Sequence, residues 1–212
     1  CVTEQISFLE KNYPLATIHS IDLKKDGEYN TDYWKKLLSG CDEKIFLNWT
    51  WVNSETGILG PDILTEMKKE NVFVHIDATQ AVGKVYNFQK IPFEADAISF
   101  SGHKFGSLKG IGWTFIKKKS SSMVASLSHG GNQQYFSSGT INTLGVLSLE
   151  LALKEILQKQ NEKMKDCEKF RNFFESCLEK ELKSIYFLKP QTRSCNTALM
   201  VHQKMKSELL SA

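Results

Sequence analysis

Short apolar runs rich in β-branched and aromatic residues divide the first part of the sequence, and they limit the possible folds more than any other feature. They are residues 45–52, 72–78, 97–100 and 112–116. This composition is typical of buried strands. Between the first two runs, residues 61–70 begin with a proline and carry apolar side chains at helical spacing. A strand, a helix and a strand within about thirty residues predict a βαβ unit, and therefore a mostly parallel sheet covered by helices.

A long amphipathic stretch, residues 144–182, follows these runs. It predicts one long helix or two in succession, and a helix longer than the usual ~8–20 residues often connects domains. Residues 185–188 and 197–201 come next and have the composition of strands. We therefore expect most of a large domain in residues 1–142, and a connecting helix with an incomplete small α+β domain in residues 143–212.

Composition narrows the class of protein. The chain has 212 residues, 41% of them apolar, and 27 Lys and Arg against 24 Asp and Glu. This near balance of charge argues against a nucleic-acid-binding protein, whose basic excess would be concentrated. No apolar run approaches the ~18–20 residues that span a bilayer, so we expect no membrane segment and a cytoplasmic protein.

The five cysteines are scattered and form no C-x-x-C pair. We expect free thiols in a reducing compartment, and neither a disulfide framework nor a metal site. The sequence starts at Cys1 rather than at a methionine, and its last residues interrupt an amphipathic pattern. We therefore expect a segment of a longer protein.

Polar side chains stand where two of the predicted strands end. Asp77 and Gln80 follow the second strand, and Ser101, His103 and Lys104 follow the third. Ligands of parallel α/β sheets bind at the carboxyl ends of the strands. A lysine there can form a Schiff base with an aldehyde, and an aspartate can pair with the ring nitrogen of pyridoxal phosphate. The spacing alone indicates such chemistry, but it leaves open that Asp77 simply ends a strand and that Lys104 is a loop lysine with no catalytic role.

The amino-acid sequences of these segments indicate a family more specifically than their spacing does. Residues 75–84, 99–104 and 109–112 closely resemble the pyridoxal phosphate core of class V aminotransferase-fold enzymes, most of all the NifS/IscS-type cysteine desulfurases. Supporting matches in the same order are residues 52–57, 129–131 and 138–140. The resemblance implies the large domain of the type I fold of pyridoxal phosphate enzymes, an α/β domain with a mostly parallel sheet and helices on both faces. Part of a small α+β C-terminal domain would follow it.

The resemblance also implies roles for the polar residues. Lys104 would carry pyridoxal 5'-phosphate as a Schiff base and act as the catalytic residue. Asp77 would bond the ring nitrogen, and Gln80 would bond the ring hydroxyl. Ser101 and His103 would hold the phosphate.

The implied assembly is a homodimer, in which Thr140 would reach the phosphate in the partner subunit. A desulfurase of this type converts L-cysteine to L-alanine and passes the sulfur to one of its own cysteines, then to an acceptor protein, as in iron–sulfur cluster assembly. None of the five cysteines lies in a matching motif. We therefore expect the nucleophilic cysteine outside this segment, and we expect the segment alone to be inactive.

Two departures from the family pattern leave alternatives open. Ser54 stands where the family has an asparagine against the cofactor ring, and Ser137 stands where it usually has an arginine. These changes allow a catalytically silent homologue that acts as a binding partner. Another class V enzyme, such as a selenocysteine lyase or an aminotransferase, is the other alternative.

Overall fold

The structure is a computed structural model that describes residues 2–24, 28–60, 69–89, 94–124, 136 and 139–204. Its helices and strands are, in chain order, α1 (Val2–Asn12), α2 (Thr31–Ser39), β1 (Ile45–Thr50), β2 (Val72–Asp77), β3 (Ala97–Ser101), β4 (Gly112–Ile116), α3 (Thr143–Glu181), β5 (Ile185–Leu188) and β6 (Leu199–His202). Short 3-10 helices over Gly102–Phe105 and Lys118–Met123 follow β3 and β4. None of the described helices is both long and apolar enough to cross a membrane.

The main sheet has the strand order β1-β2-β3-β4. Strands β1, β2 and β3 run parallel, whereas β4 pairs antiparallel with β3. The prediction of a mostly parallel sheet is therefore confirmed. The helix predicted for residues 61–70 lies outside the described residues, except for its last two. Because β2 and β3 are parallel neighbours, their carboxyl ends meet at one edge of the sheet.

One face of this sheet carries the main core. Val74 and Ile76 of β2 are almost fully buried, and Trp49 of β1 lies in the same cluster. Helix α2 adds Trp34 and Leu38, which lie four residues apart and so on one side of the helix. Burial of each such side chain contributes about 1.5–3 kcal/mol, which anchors the strands that carry the polar residues.

The long amphipathic stretch forms a single helix, α3, of 39 residues. The Asn142 side chain caps it by accepting a hydrogen bond from the Gly145 amide at 3.0 Å. Proline is absent from its interior, so nothing interrupts the backbone ladder between the two possible halves. After α3, strands β5 and β6 form a separate antiparallel pair.

Candidate active site

The end of β2 is held from both sides. The Trp51 amide donates to the Asp77 carbonyl at 2.9 Å, and the Ala78 amide donates to the Ser99 carbonyl at 2.9 Å. The Asp77 side chain accepts from the Thr79 amide through Oδ1 at 2.9 Å. That contact orients the carboxylate and leaves Oδ2 as the oxygen a ligand would meet.

The end of β3 turns at once into a 3-10 helix. The Ser101 hydroxyl and Nδ1 of His103 lie 3.0 Å apart, so these two side chains point to the same place. Gly102 permits close packing of this turn against α3, because a Cβ there would lie 2.5 Å from the Leu149 side chain. Lys104 follows on the same short helix and is exposed.

A second lysine belongs to this region. Nζ of Lys84 donates a hydrogen bond to Oε1 of Gln80, four residues earlier. Burial lowers the pKa of Lys84, and the positive charge of Lys104 lowers it further. Lys84, Gln80 and Lys104 therefore share one electrostatic environment. Lys84 is not among the predicted site residues, because residues 79–84 form turns rather than a helix, so its spacing from Gln80 gave no signal of a contact.

Behind Asp77, a row of polar side chains crosses the sheet. Nδ1 of His75 lies 2.7 Å from Oδ1 of Asn48, and Nε2 lies 2.8 Å from the Ser99 hydroxyl. The Ser99 hydroxyl is in turn 3.0 Å from that of Thr114. Burial lowers the pKa of His75, and the nearby Asp77 carboxylate opposes this by raising it. We call these four side chains, one from each strand, the polar row.

The structure brings most of the predicted residues together, but not all. Asp77 ends β2 and Ser101 ends β3, and His103 and Lys104 follow at the same sheet edge. Thr140 is exposed on another segment, three residues before α3, and takes part in none of the hydrogen bonds described for this edge.

Of the two residues that depart from the family pattern, the structure describes Ser54 but not Ser137. Ser54 is exposed in a turn in which Oδ1 of Asn53 accepts the amides of Glu55 and Thr56 at 3.0 and 2.9 Å. Ser137 lies outside the described residues, as do residues 129–131 and Ser138.

The side chains at this edge match the groups of pyridoxal phosphate one for one. A carboxylate oxygen suits a protonated ring nitrogen, and an amide NH2 suits a ring oxygen. The hydroxyl of Ser101 and the imidazole of His103 suit a phosphate, and the Lys104 amine suits an aldehyde. The residues present therefore fit this cofactor.

Comparison with known proteins agrees with this chemistry. The chain is 34% identical over 151 residues to a cysteine desulfurase IscS of Plasmodium falciparum (isolate 3D7), which is 69% of this chain and 27% of that protein. It is 28% identical over 195 residues to the cysteine desulfurase IscS of Dictyoglomus turgidum, which is 90% of this chain and 48% of that protein. The chain thus spans about a quarter to a half of the length of these curated relatives.

Solved structures share the fold. A NifS-like protein superposes with a TM-score of 0.83 at 24% identity, over 99% of this chain and 57% of the other. A NifS-like protein from Rickettsia africae gives a TM-score of 0.78 at 21% identity, over 96% of this chain and 56% of the other. The sequence profile of class-V aminotransferases matches residues 9–210. The chain therefore belongs to the class-V aminotransferase family.

Proposed function

We propose that this chain is the cofactor-binding part of a pyridoxal phosphate enzyme of the cysteine desulfurase type. The observation that carries the proposal is the meeting of Asp77, at the end of β2, with residues 101–104 at the adjacent end of β3. The names of the relatives, cysteine desulfurase IscS, favour this reaction over the other reactions of the family.

The chain's own residues divide the work of binding. Oδ2 of Asp77 would accept a hydrogen bond from the protonated ring nitrogen, because Oδ1 is already engaged by the Thr79 amide. The Ser101 hydroxyl and the His103 imidazole, hydrogen-bonded to each other at 3.0 Å, would together hold the phosphate. When bound, pyridoxal phosphate supplies an electron sink for the substrate amino acid.

Lys104 has two tasks in this proposal. Its amine would bind the cofactor aldehyde in the resting enzyme, and as a free amine it would hold or release a proton beside the substrate. The neighbouring Lys84 is not needed for that bond and adds positive charge at the same edge. Positive charge suits a site whose cofactor phosphate and substrate carboxylate are both anionic.

The wider proposals follow the family. The substrate is L-cysteine, the products are L-alanine and a persulfide on a cysteine outside this segment, and a sulfur-acceptor protein takes the sulfur. The intact protein is a cytoplasmic homodimer in which Thr140 contacts the phosphate in the partner subunit. Residues 1–142 form most of the large domain, and residues 143–212 form the connecting helix with part of the small domain.

The first test locates the cofactor. We expect borohydride reduction of the full-length protein, followed by peptide mapping, to place the pyridoxyl label on Lys104. The Lys104→Ala variant should lose the label, whereas Lys109→Ala, which changes a nearby exposed lysine, should keep it. A label on Lys84, or no yellow chromophore in the full-length protein, would contradict the proposal.

The second test separates the reactions of the family. Full-length protein given L-cysteine should release alanine and sulfide in equal amounts in the presence of a thiol reductant, and Lys104→Ala should release neither. Production of a keto acid instead would identify an aminotransferase. Absence of any turnover by cofactor-loaded protein would favour a silent homologue.

A further inference from the structure

We propose that Lys84 is a positioning residue that sets the direction of the Gln80 amide, so that its NH2 group faces the ring oxygen of the cofactor. The proposal rests on the proposed function, because the ring oxygen belongs to bound pyridoxal phosphate. The contact that carries it is the hydrogen bond from Nζ of Lys84 to Oε1 of Gln80.

The direction follows from what each group can do. A lysine ammonium has three donors and no acceptor, so only the oxygen of the amide can face it. The NH2 group of Gln80, the other substituent of the same amide carbon, must then point away from the ammonium. With the amide turned over, its oxygen would face an oxygen of the cofactor, and its NH2 group would face the ammonium. Lys84 therefore excludes the unproductive orientation.

The chain holds Lys84 tightly enough for this task. Its amide donates to the Ala81 carbonyl at 3.1 Å, and its carbonyl accepts from the Cys195 amide at 3.4 Å. Gly83, just before it, has a φ of +71° and lies against Ile156 of α3, where an added Cβ would be 3.2 Å from Cδ1. Both neighbouring segments thus fix the backbone from which the side chain extends.

The cost of placing this ammonium here also indicates a task. Burial and the charge of Lys104 both disfavour the charged form, since both lower the pKa of Lys84. A surface lysine with no specific partner would keep its ammonium group in water and away from a second cation. Lys84 instead makes a charge-assisted hydrogen bond to a residue proposed to bind the cofactor.

A double-mutant cycle tests the inference without using turnover. The ligand is pyridoxine 5'-phosphate, which has the ring hydroxyl but no aldehyde, so its affinity reports only noncovalent contacts. Its Kd is measured by fluorescence on the cofactor-free, full-length protein and on Lys84→Met, Gln80→Ala and the double variant. We expect Lys84→Met to weaken binding about tenfold alone and less than about twofold in the Gln80→Ala background.

An absorbance titration gives a second readout. Ionisation of the ring hydroxyl changes the ultraviolet spectrum of the ligand. We expect the pKa of the bound ring hydroxyl to rise in Lys84→Met, because the amide donor that stabilises the ionised oxygen is no longer held in place. A purely structural lysine would leave this pKa unchanged, and that result would overturn the inference.

Lys165→Met is the matched control, because Lys165 is exposed on α3. It should leave both readouts unchanged. An equal loss of affinity in both backgrounds, or no loss in either, would overturn the inference and leave the proposed function intact. Failure of the wild-type protein to bind the ligand would overturn both. Where Lys84→Met does not fold, as judged by its thermal unfolding, Lys84→Gln goes through the same cycle.

Discussion

At the scale of single residues, Glu175 of α3 is a buried charge with a matched partner. It is 2% exposed, and its two carboxylate oxygens accept from Nη1 and Nη2 of Arg193 at 2.6 and 2.8 Å. This two-point geometry offsets the loss of solvation of both ions. The pair fastens the segment before β6 to α3.

We expect Arg193→Met to destabilise the protein by about 3–5 kcal/mol, because it leaves a buried carboxylate without its partner. Lys189→Met is the matched control: it breaks the more exposed pair with Glu179, at 2.7 Å, and should cost less than about 1 kcal/mol. The free energy of unfolding in urea measures both. Equal costs would show that burial of Glu175 is not what matters.

Cys195 is a buried thiol whose reactivity depends on its burial. Its side chain is 4% exposed, and burial, helped by the nearby Cys167 thiol, raises its pKa to about 11 from 9.0. At pH 8 we therefore expect iodoacetamide to modify the exposed Cys167 and Cys177 in the native protein and to spare Cys195. Mass spectrometry of the tryptic peptides measures this. Fast alkylation of Cys195 in the folded protein would contradict the burial.

The same thiol makes stability depend on alkaline pH. The unfolded thiol ionises near 9.0 and the folded one near 11, so the folded state holds the proton longer. This contribution is fully present below pH 9.0 and is lost as pH rises through 11. Urea unfolding at several pH values should show a smaller alkaline loss for Cys195→Ala than for wild type, and equal losses would count against this assignment.

At the scale of elements, the polar row shows how the sheet supports the site. The row has one side chain from each of four strands. Its member on β2 is His75, which lies two residues before Asp77 and on the same face of that strand. These hydrogen bonds link side chains that are far apart in sequence. They hold β2 in register between β1 and β3, and thereby hold Asp77 at the sheet edge.

We expect His75→Ala to cost about 0.5–1.5 kcal/mol, because Asn48 and Ser99 lose their shared hydrogen-bond partner. His19→Ala, at an exposed histidine, should cost less than about 0.5 kcal/mol. Burial lowers the pKa of His75 below 6.5, so the unfolded state takes up the proton first and stability falls as pH drops below 6.5. Urea titrations at several pH values should show that His75→Ala reduces this acid loss, and an unchanged acid loss would point to other groups.

At the scale of the whole molecule, residues 192–197 join the site region to the C-terminal part of the chain. The Ser194 amide donates to the Gly57 carbonyl at 2.8 Å, and the Leu59 amide donates to the Thr192 carbonyl at 3.3 Å. The same segment reaches Lys84 through the Cys195 amide. The loop that follows β1, the turn that carries Lys84 and helix α3 are therefore packed around one strip of chain.

Gly57 is the closest point of this packing. Its φ is +73°, and a Cβ would lie 2.7 Å from Cβ of Thr197. Gly110 has a similar φ of +82° with nothing within 4 Å, so Gly110→Ala measures backbone strain alone, about 1–2 kcal/mol. We expect Gly57→Ala to cost more than Gly110→Ala in urea unfolding, because strain and a clash add. Equal costs would mean that the segment moves away freely.

Much of the fold was predictable because the pattern that encodes it is local. Apolar runs rich in β-branched and aromatic residues predicted β4 and β5 with their observed ends, and helical spacing predicted α3, which begins at Thr143. The ends that differ have physical reasons. Strand β1 stops at Thr50, and Val52 instead pairs with Leu59 in the loop that packs on residues 192–197. Strand β6 starts at Leu199, two residues after Thr197, which packs against Gly57.

The sequence by itself determined the family, the parallel sheet and the residues at the ends of β2 and β3, since short motifs and side-chain periodicity carry that information. Only the tertiary structure decided the hydrogen bond of Lys84 to Gln80 beside Lys104, the polar row and the buried Glu175–Arg193 pair. The physical reason is that a buried charge or polar group is stable only with a matching partner. Most of these partners come from distant parts of the chain, so no local sequence pattern predicts the contact.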